Sequence, residues 1–535
     1  MLIKLWLVVM NNKQEKIHLD KTIRKREKGA VLQLVASVFS ISVASLMPFI
    51  VRTFLIRFIG IEYVGVGALI SSMLQVLNVA DFGVSSALAF FLFEPIAKND
   101  WNRINAIMLF FRKIYRAVGV FIMVGSLAII PLIPILIKGK EYPNGLNIFI
   151  IFIFYMIQAC FGYLTNNYIY TFLIANLQNH INSVIIGISL LCMYTTQIVA
   201  IIVFRNYYIF SALLLVSPLL QFFLYEIIKI KKFPQLIFEG KLSDDFIIGF
   251  RQRLIPMILS KIRIISRNSL DSIIISRFFG LILLAEYQNY YQVMLVPCMF
   301  SQAIRSAFQP SLGNGIVEES DKSNYGIIKQ FSFFNNFVAT ISTVCILSLI
   351  QPFMKIWVGE KFILGNNVVI CIAAYYYVLT LAESNIMLRE ASGIWREGRW
   401  VPVVEAVTNL LLNVLLAKTL GLYGIILATI LTVGLINVPF ESYYVFKNSF
   451  KGMYYSYIKL IVIYSIESLI IVVISCLLCL RIAVVNYTFI LLRILASFFI
   501  PTMLFILIHF KDVEMKDAYG LLKRVLINIK SKISA

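Results

Sequence analysis

Charged and amide side chains recur at helical spacing inside stretches of this sequence that are otherwise apolar, and the largest group is basic. Ser260, Arg263, Arg267 and Asp271 follow i, i+3, i+7, i+11, with Lys261 beside them. Residues at such offsets share one face of a helix. Gln302, Arg305 and Gln309 share another face, and Glu405, Asn409 and Asn413 recur at strict fourfold spacing. Gln75, Asn78, Asp81 and Ser85 form a further stripe, and Arg52 follows Pro48 near the end of an apolar run. Cations in apolar surroundings are costly unless water and an anionic ligand reach them. Arginine favours phosphate, because its planar guanidinium can make two parallel hydrogen bonds to phosphoryl oxygens. Arg52, Lys261, Arg263, Arg267 and Arg305 are therefore candidate ligands of an anionic, phosphate-bearing substrate. The acids Asp81, Asp271 and Glu405 are candidates for ion or proton coupling.

Plainer readings stand beside these. Arg267 and Asp271, four apart, would neutralise one another. The amide stripes would serve as interhelical glue, worth about 0.6 kcal/mol per contact. Arg305, Arg389, Glu441 and the Arg112–Arg116 cluster would snorkel from near the cytoplasmic face. The three histidines are scattered and build no metal site. All seven cysteines lie in apolar runs, so Cys476 and Cys479 read as small hydrophobes despite their CxxC spacing. No metal, cofactor or covalent chemistry is expected, and the chain is not read as an enzyme.

The elements that must position these residues are transmembrane helices. Of 535 residues, 60% are hydrophobic and only 14% charged, and the mean hydropathy is +0.85. A soluble domain carries more charge and lacks repeated apolar runs of about 20 residues. The apolar runs are continuous rather than alternating, which excludes an outer-membrane barrel. Hydropathy predicts about fourteen spans, near 30–56, 62–95, 105–137, 146–175, 179–204, 206–231, 245–277, 281–311, 325–357, 366–395, 399–418, 421–447, 452–480 and 486–510. The second is too long for a straight span and should kink near Asp81-Phe82-Gly83.

Loop charges support that count. Alternate connections are rich in Lys and Arg: Lys13 to Lys28, Lys98 to Arg116, Lys229 to Arg253, Arg396 and Arg399, Lys447 and Lys451, and the tail from Lys511. The intervening ones hold single charges such as Arg57, Arg205, Arg277, Lys418 and Arg481. The positive-inside rule then places both termini in the cytoplasm. It also accounts for the net charge of +21 without nucleic acid, because the basic residues are spread over loops and helix ends. Met1 to Met10 is apolar but too short to span, and a start at Met10 would give an ordinary basic cytoplasmic N-terminus.

An internal repeat organises the spans. Arg57-Phe-x-Gly60 and Arg277-Phe-x-Gly280 each close the first helix of a six-helix block. Two blocks of equal parity share one orientation, as parallel repeats do. The expected fold is thus an all-α polytopic membrane protein of about 14 transmembrane helices, with two pseudo-symmetric six-helix bundles and two extra helices. The parts are a basic cytoplasmic N-terminus (1–29), an N-terminal bundle (30–231), a cytoplasmic linker (232–244), a C-terminal bundle (245–447), an additional helix pair (448–510) and a cytoplasmic tail (511–535). In the tail, Met515, Tyr519, Leu522, Leu526 and Ile529 share one face, as in an interfacial helix; a simple basic tail is the alternative.

Dispersed short motifs carry a family resemblance. Gly60-Ile61-Glu62-Tyr63-Val64-Gly65, the run from Ala80-Asp81-Phe82-Gly83 to Ala87, and Glu94-Pro95-Ile96-Ala97-Lys98-Asn99-Asp100 resemble the opening of Wzx-type polysaccharide flippases. These belong to the superfamily that includes MATE multidrug exporters and the lipid II flippase. Asp271 to Ser276, Ser311-Leu312-Gly313-Asn314, Trp357-Val358-Gly359 and Gly421-Leu422-Tyr423-Gly424-Ile425 agree in the second half. The resemblance implies export of an undecaprenyl-pyrophosphate-linked oligosaccharide across the bacterial plasma membrane for O-antigen, capsule or exopolysaccharide assembly. It further implies alternating access around a cationic cavity, contact with membrane lipids, and partnership with a polysaccharide polymerase or chain-length protein. Arg52 resembles the first-helix arginine of the lipid II flippase. The chain departs from twelve-helix relatives in its extra pair, which would line a groove for the lipid tail or pad the fold. The alternatives are a MATE-like exporter of small molecules, whose cationic substrates favour an acidic cavity, and a polytopic polymerase or ligase.

Overall fold

In lipid, backbone N–H and C=O groups must be satisfied within the segment, so long apolar runs become helices. The computed structural model describes residues 32–78, 84–137, 142–143, 145–318, 320–482 and 487–517, and among them there is no strand. Within the described residues, every expected span falls on one helix or on consecutive helices. In chain order these are α1 (Leu32–Phe58), α2 (Ile61–Leu77), α3 (Val84–Ala97), α4 (Trp101–Ile129), α5 (Ile148–Leu164), α6 (Asn167–Ala175), α7 (Asn179–Phe204), α8 (Tyr207–Ala212) and α9 (Val216–Lys232). Then come α10 (Asp244–Ile265), α11 (Asp271–Phe279), α12 (Leu281–Glu318), α13 (Asp321–Trp357), α14 (Asn366–Ser392), α15 (Val401–Leu420), α16 (Leu422–Thr432), α17 (Ser442–Ser449), α18 (Tyr454–Leu480) and α19 (Tyr487–His509). Ten helical segments among the described residues are long and apolar enough to cross a membrane, and eleven if α5 and α6, bent by 48°, count as one. The chain is an all-α polytopic membrane protein. The kink expected at Asp81 and most of the expected tail helix lie outside the described residues.

Both copies of the Arg-Phe-x-Gly repeat do the same local job. Gly60 (φ +142°) follows α1 and Gly280 (φ +94°) follows α11, and in each case the next residue opens a new helix. A Cβ at Gly280 would meet nothing within 4 Å, so the positive φ, not crowding, requires glycine there.

The helices group into two compact units that do not follow chain order. The first holds α1, α3 to α9 and the start of α10 as far as Arg251. Its rings Phe91, Phe110 and Phe111 pack on Phe246 and Phe250, with centroids 4.6 Å apart for Phe91–Phe246 and 5.3 Å for Phe111–Phe250. This aromatic cluster fixes the first turns of α10 against α3 and α4. The second unit holds α2, the rest of α10 and α11 to α19. Chain order alone would place α2 in the first bundle, but its small residues let it pack closely on α12. A Cβ added at Gly65 would stand 2.2 Å from the Leu281 carbonyl oxygen. Gly65→Ala must therefore push two backbones apart. We expect it to destabilise the chain by about 1–3 kcal/mol, read as a lower unfolding midpoint in detergent. An unchanged midpoint would contradict the close approach.

The additional pair, α18 and α19, is built into the second unit through α13. Thr340 and Ser468 hydroxyls lie 2.7 Å apart, and Asn336 Oδ1 accepts from both Ser468 (2.9 Å) and Tyr377 (2.9 Å). The Tyr457 ring stacks on Phe446 of α17 at 4.8 Å.

Candidate functional site

The polar stripes meet inside the second unit because two helices depart from α geometry. Ser266–Leu270, between α10 and α11, and Val433–Glu441, between α16 and α17, are π-helical. The second contains Pro439, which has no N–H to donate. Such bulges shift the side-chain register within a helix and often mark functional positions.

That shift separates Arg267 from Asp271. Arg267, within the first bulge, donates to Glu405 Oε1, its Nε at 2.8 Å. Glu405 Oε2 accepts from Asn437 at 2.9 Å. Asp271 instead accepts from Asn413 Nδ2 (2.5 Å) and Thr429 Oγ1 (3.0 Å). Behind it, Asn409 donates to Thr429 (3.0 Å) and accepts from Ser266 (2.8 Å). Arg267 and Asp271 therefore form no direct ion pair. No cation among the described residues lies within ion-pair distance of Asp271.

Arg389 and Glu441 do not snorkel; both are nearly fully buried. A single oxygen, Glu441 Oε1, accepts from Arg263 (2.6 Å) and Arg389 (2.8 Å). Arg389 also donates to the Ile394 carbonyl at 3.2 Å and lies over the Trp395 ring at 5.6 Å. Arg305 is gripped by two carboxylates of α14, Glu383 at 2.8 Å and Glu390 at 2.7 Å. Arg263, Arg267, Arg305 and Arg389 thus carry acidic partners, contrary to the sequence expectation of poorly compensated positive charge.

These side chains surround a cavity of about 310 Å³. Its wall carries Lys261, Arg263, Arg267, Arg305 and Arg389 against Glu383 and Glu390, with Tyr291, Tyr375, Asn268 and Gln302 between them. Glu405 and Glu441 lie behind the arginines and orient them. A carboxylate engages only part of a guanidinium's five N–H groups, so a held arginine still offers donors to a ligand. Lys261 differs from its neighbours: among the described residues no carboxylate lies within ion-pair distance of its ammonium.

Four of the five substrate-binding candidates, Lys261, Arg263, Arg267 and Arg305, thus line one cavity. Arg52 lies in the first unit, half-buried. Of the acids, Asp271 and Glu405 are placed as described and Asp81 lies outside the described residues. Sequence reasoning missed Glu383 and Glu390. They are seven apart on α14, hence on one face, and that spacing was the available signal.

Comparison with solved structures shows what fold carries this site. The lipid II flippase MurJ in an inward closed conformation matches with a TM-score of 0.64 and 14% identity, over 90% of this chain and 99% of that chain. An inward-facing multidrug resistance MATE family transporter of the MOP superfamily matches at 0.60 and 11%, over 76% and 98%. A mutant of the Vibrio cholerae MATE transporter VcmN matches at 0.55 and 13%, over 80% and 99%. No protein-family model and no curated protein matches the sequence. The protein has the polytopic helical fold of the MOP-superfamily transporters. It combines that fold with a cavity whose wall carries five basic side chains against two carboxylates.

Proposed function

We propose that this protein is a flippase for a lipid-linked oligosaccharide of the undecaprenyl-pyrophosphate type, working by alternating access in the bacterial plasma membrane with both termini in the cytoplasm. The observation that carries the reading is the basic wall of the cavity, five cationic side chains facing two carboxylates. An exporter of cationic drugs needs the opposite balance. A polymerase or ligase needs acids free at the site, whereas the acids on and behind this cavity wall, Glu383, Glu390, Glu405 and Glu441, are all held by arginine. The cavity volume suits a pyrophosphate and its first sugar more than a whole oligosaccharide, so the site acts on the head of the cargo. Lys261, Arg263, Arg267 and Arg305 are the proposed ligands; the assignment of Arg52 to the same ligand rests on sequence alone.

A second feature of the same unit fits the lipid part. A groove of about 1250 Å³ runs between α13, α14, α18 and α19, walled by Ile356, Val369, Ile370, Val473 and Leu477 with Arg493 among them. It offers an apolar lining for a polyprenyl chain and gives the additional helix pair a role. Delivery of the exported unit to a polymerase or chain-length partner follows from this reading.

Binding tests it. Undecaprenyl pyrophosphate should raise the unfolding midpoint of the purified chain, and undecaprenol should not. Equal responses would remove the pyrophosphate from the account. For coupling, Asp271 is the proposed carboxylate, since neutral donors alone hold it and Asn413 Oδ1 beside it is buried without a hydrogen-bond partner. Asp271→Asn should abolish the dependence of flipping on an imposed ion or proton gradient, lowering the driven rate by roughly tenfold or more. A variant that still responds fully to the gradient would exclude Asp271.

A further inference from the structure

The first unit contains a second cationic cavity that the cargo reading does not use. It measures about 450 Å³ and is lined by Arg112 and Arg116 of α4, Tyr168 of α6, Glu226 and Lys229 of α9, and Phe238 from the segment between α9 and α10. Arg112 and Arg116 are four apart and point to one side of α4. Among the described residues neither has a carboxylate within ion-pair distance. The Arg112 Nε is buried and makes no hydrogen bond. Glu226 does not answer this charge, being engaged by Lys229 and by Asn166 Nδ2 at 3.3 Å. The contrast with the second unit is direct, because there the arginines lining the cavity hold acids.

What covers the Arg112 guanidinium is an aromatic ring on a strained backbone. Phe238 has φ +59°, a left-handed conformation unusual for a bulky side chain. Asn105 of α4 holds it there. Its Oδ1 accepts from the Ile237 N–H (2.9 Å) and the Phe238 N–H (3.3 Å), and its Nδ2 donates to the Gln235 carbonyl (2.9 Å). The ring then lies over the Arg112 guanidinium at 5.3 Å and the Lys229 ammonium at 5.8 Å, edge-on to Tyr168 at 5.4 Å. A ring face attracts cations but satisfies none of their N–H donors.

We propose that this cavity is a phosphate-binding site, with Arg112 and Arg116 as the guanidinium ligands and Phe238 as the group an incoming phosphate displaces. The phosphate comes either from an anionic phospholipid headgroup or from a soluble phosphate compound. Both present the same tetrahedral anion to paired guanidiniums. The site is independent of the cargo cavity and of the flippase reading.

The test uses the full chain in phosphatidylcholine nanodiscs, with thermal stabilisation as the readout. In one arm phosphatidylglycerol is introduced into the bilayer; in the other, inorganic phosphate is added to the buffer. Saturable stabilisation in either arm is expected, and the responding arm names the source. The double variant Arg112→Gln, Arg116→Gln should weaken it by roughly tenfold or more. Phe238→Ala should strengthen it by roughly two- to fivefold, the equivalent of one exposed cation–π contact removed from competition. Stabilisation in neither arm, or an affinity unchanged in both variants, overturns the proposal. Should the double variant not fold, an unchanged affinity in Phe238→Ala overturns it alone.

Discussion

Lys261→Gln should lower the flipping of a pyrophosphate-linked oligosaccharide by roughly tenfold to a hundredfold, the worth of one hydrogen bond to a charged group, and leave stability nearly unchanged. Among the described residues no carboxylate lies within ion-pair distance of Lys261 on the cavity wall, and nearby Glu390 keeps Arg305, so removing the Lys261 charge strands no buried acid. The neighbouring arginines are poorer probes, because Arg263→Ala or Arg267→Ala would leave Glu441 or Glu405 with a buried charge less well compensated. Loss of transport in those variants would mix misfolding with loss of binding. The measurement is the initial flipping rate in proteoliposomes beside the unfolding midpoint of the same preparation. Wild-type flipping by Lys261→Gln would remove the ammonium from the proposed ligand set.

The largest effect on stability is expected from Glu441→Gln. One carboxylate oxygen accepts from two guanidiniums, and all three groups are buried. Breaking a buried pair by removing one partner costs about 3–5 kcal/mol, and here two cations lose their acid at once. The variant should accumulate poorly or unfold at a much lower temperature. The triple replacement Arg263→Met, Arg389→Met, Glu441→Leu should recover much of that stability, since a packed apolar core often equals or exceeds a buried ion network. It should still transport poorly, because two cations have left the cavity wall. A triple variant that is stable and fully active would show that the network serves the fold alone.

These predictions mark how far the sequence could be read. Spans were legible because burial in lipid demands long apolar helices, and the repeat was legible because Gly60 and Gly280 both need a positive φ. The basic stripe on α10 and Arg305 on α12 were legible from spacing. Their partners were not: Glu441 lies 178 residues from Arg263, and Glu405 lies 138 from Arg267. Helical periodicity reports which residues share a face, not which faces meet. The two π-helical segments were equally hidden, and they turn Arg267 to Glu405 and Asp271 to Asn413. The place of α2 depends on the contact between Gly65 and Leu281, which no periodicity reveals.

In the proposed function, the basic cavity selects a pyrophosphate-bearing lipid. The most direct measurement reconstitutes the full chain into liposomes carrying an undecaprenyl-pyrophosphate-linked oligosaccharide and follows exposure of the sugar to an impermeant lectin or glycosidase. Protein-dependent exposure, faster than for the same oligosaccharide on a neutral lipid, is expected. No protein-dependent exposure under any imposed ion gradient, together with uptake of a cationic dye by the same vesicles, would contradict it.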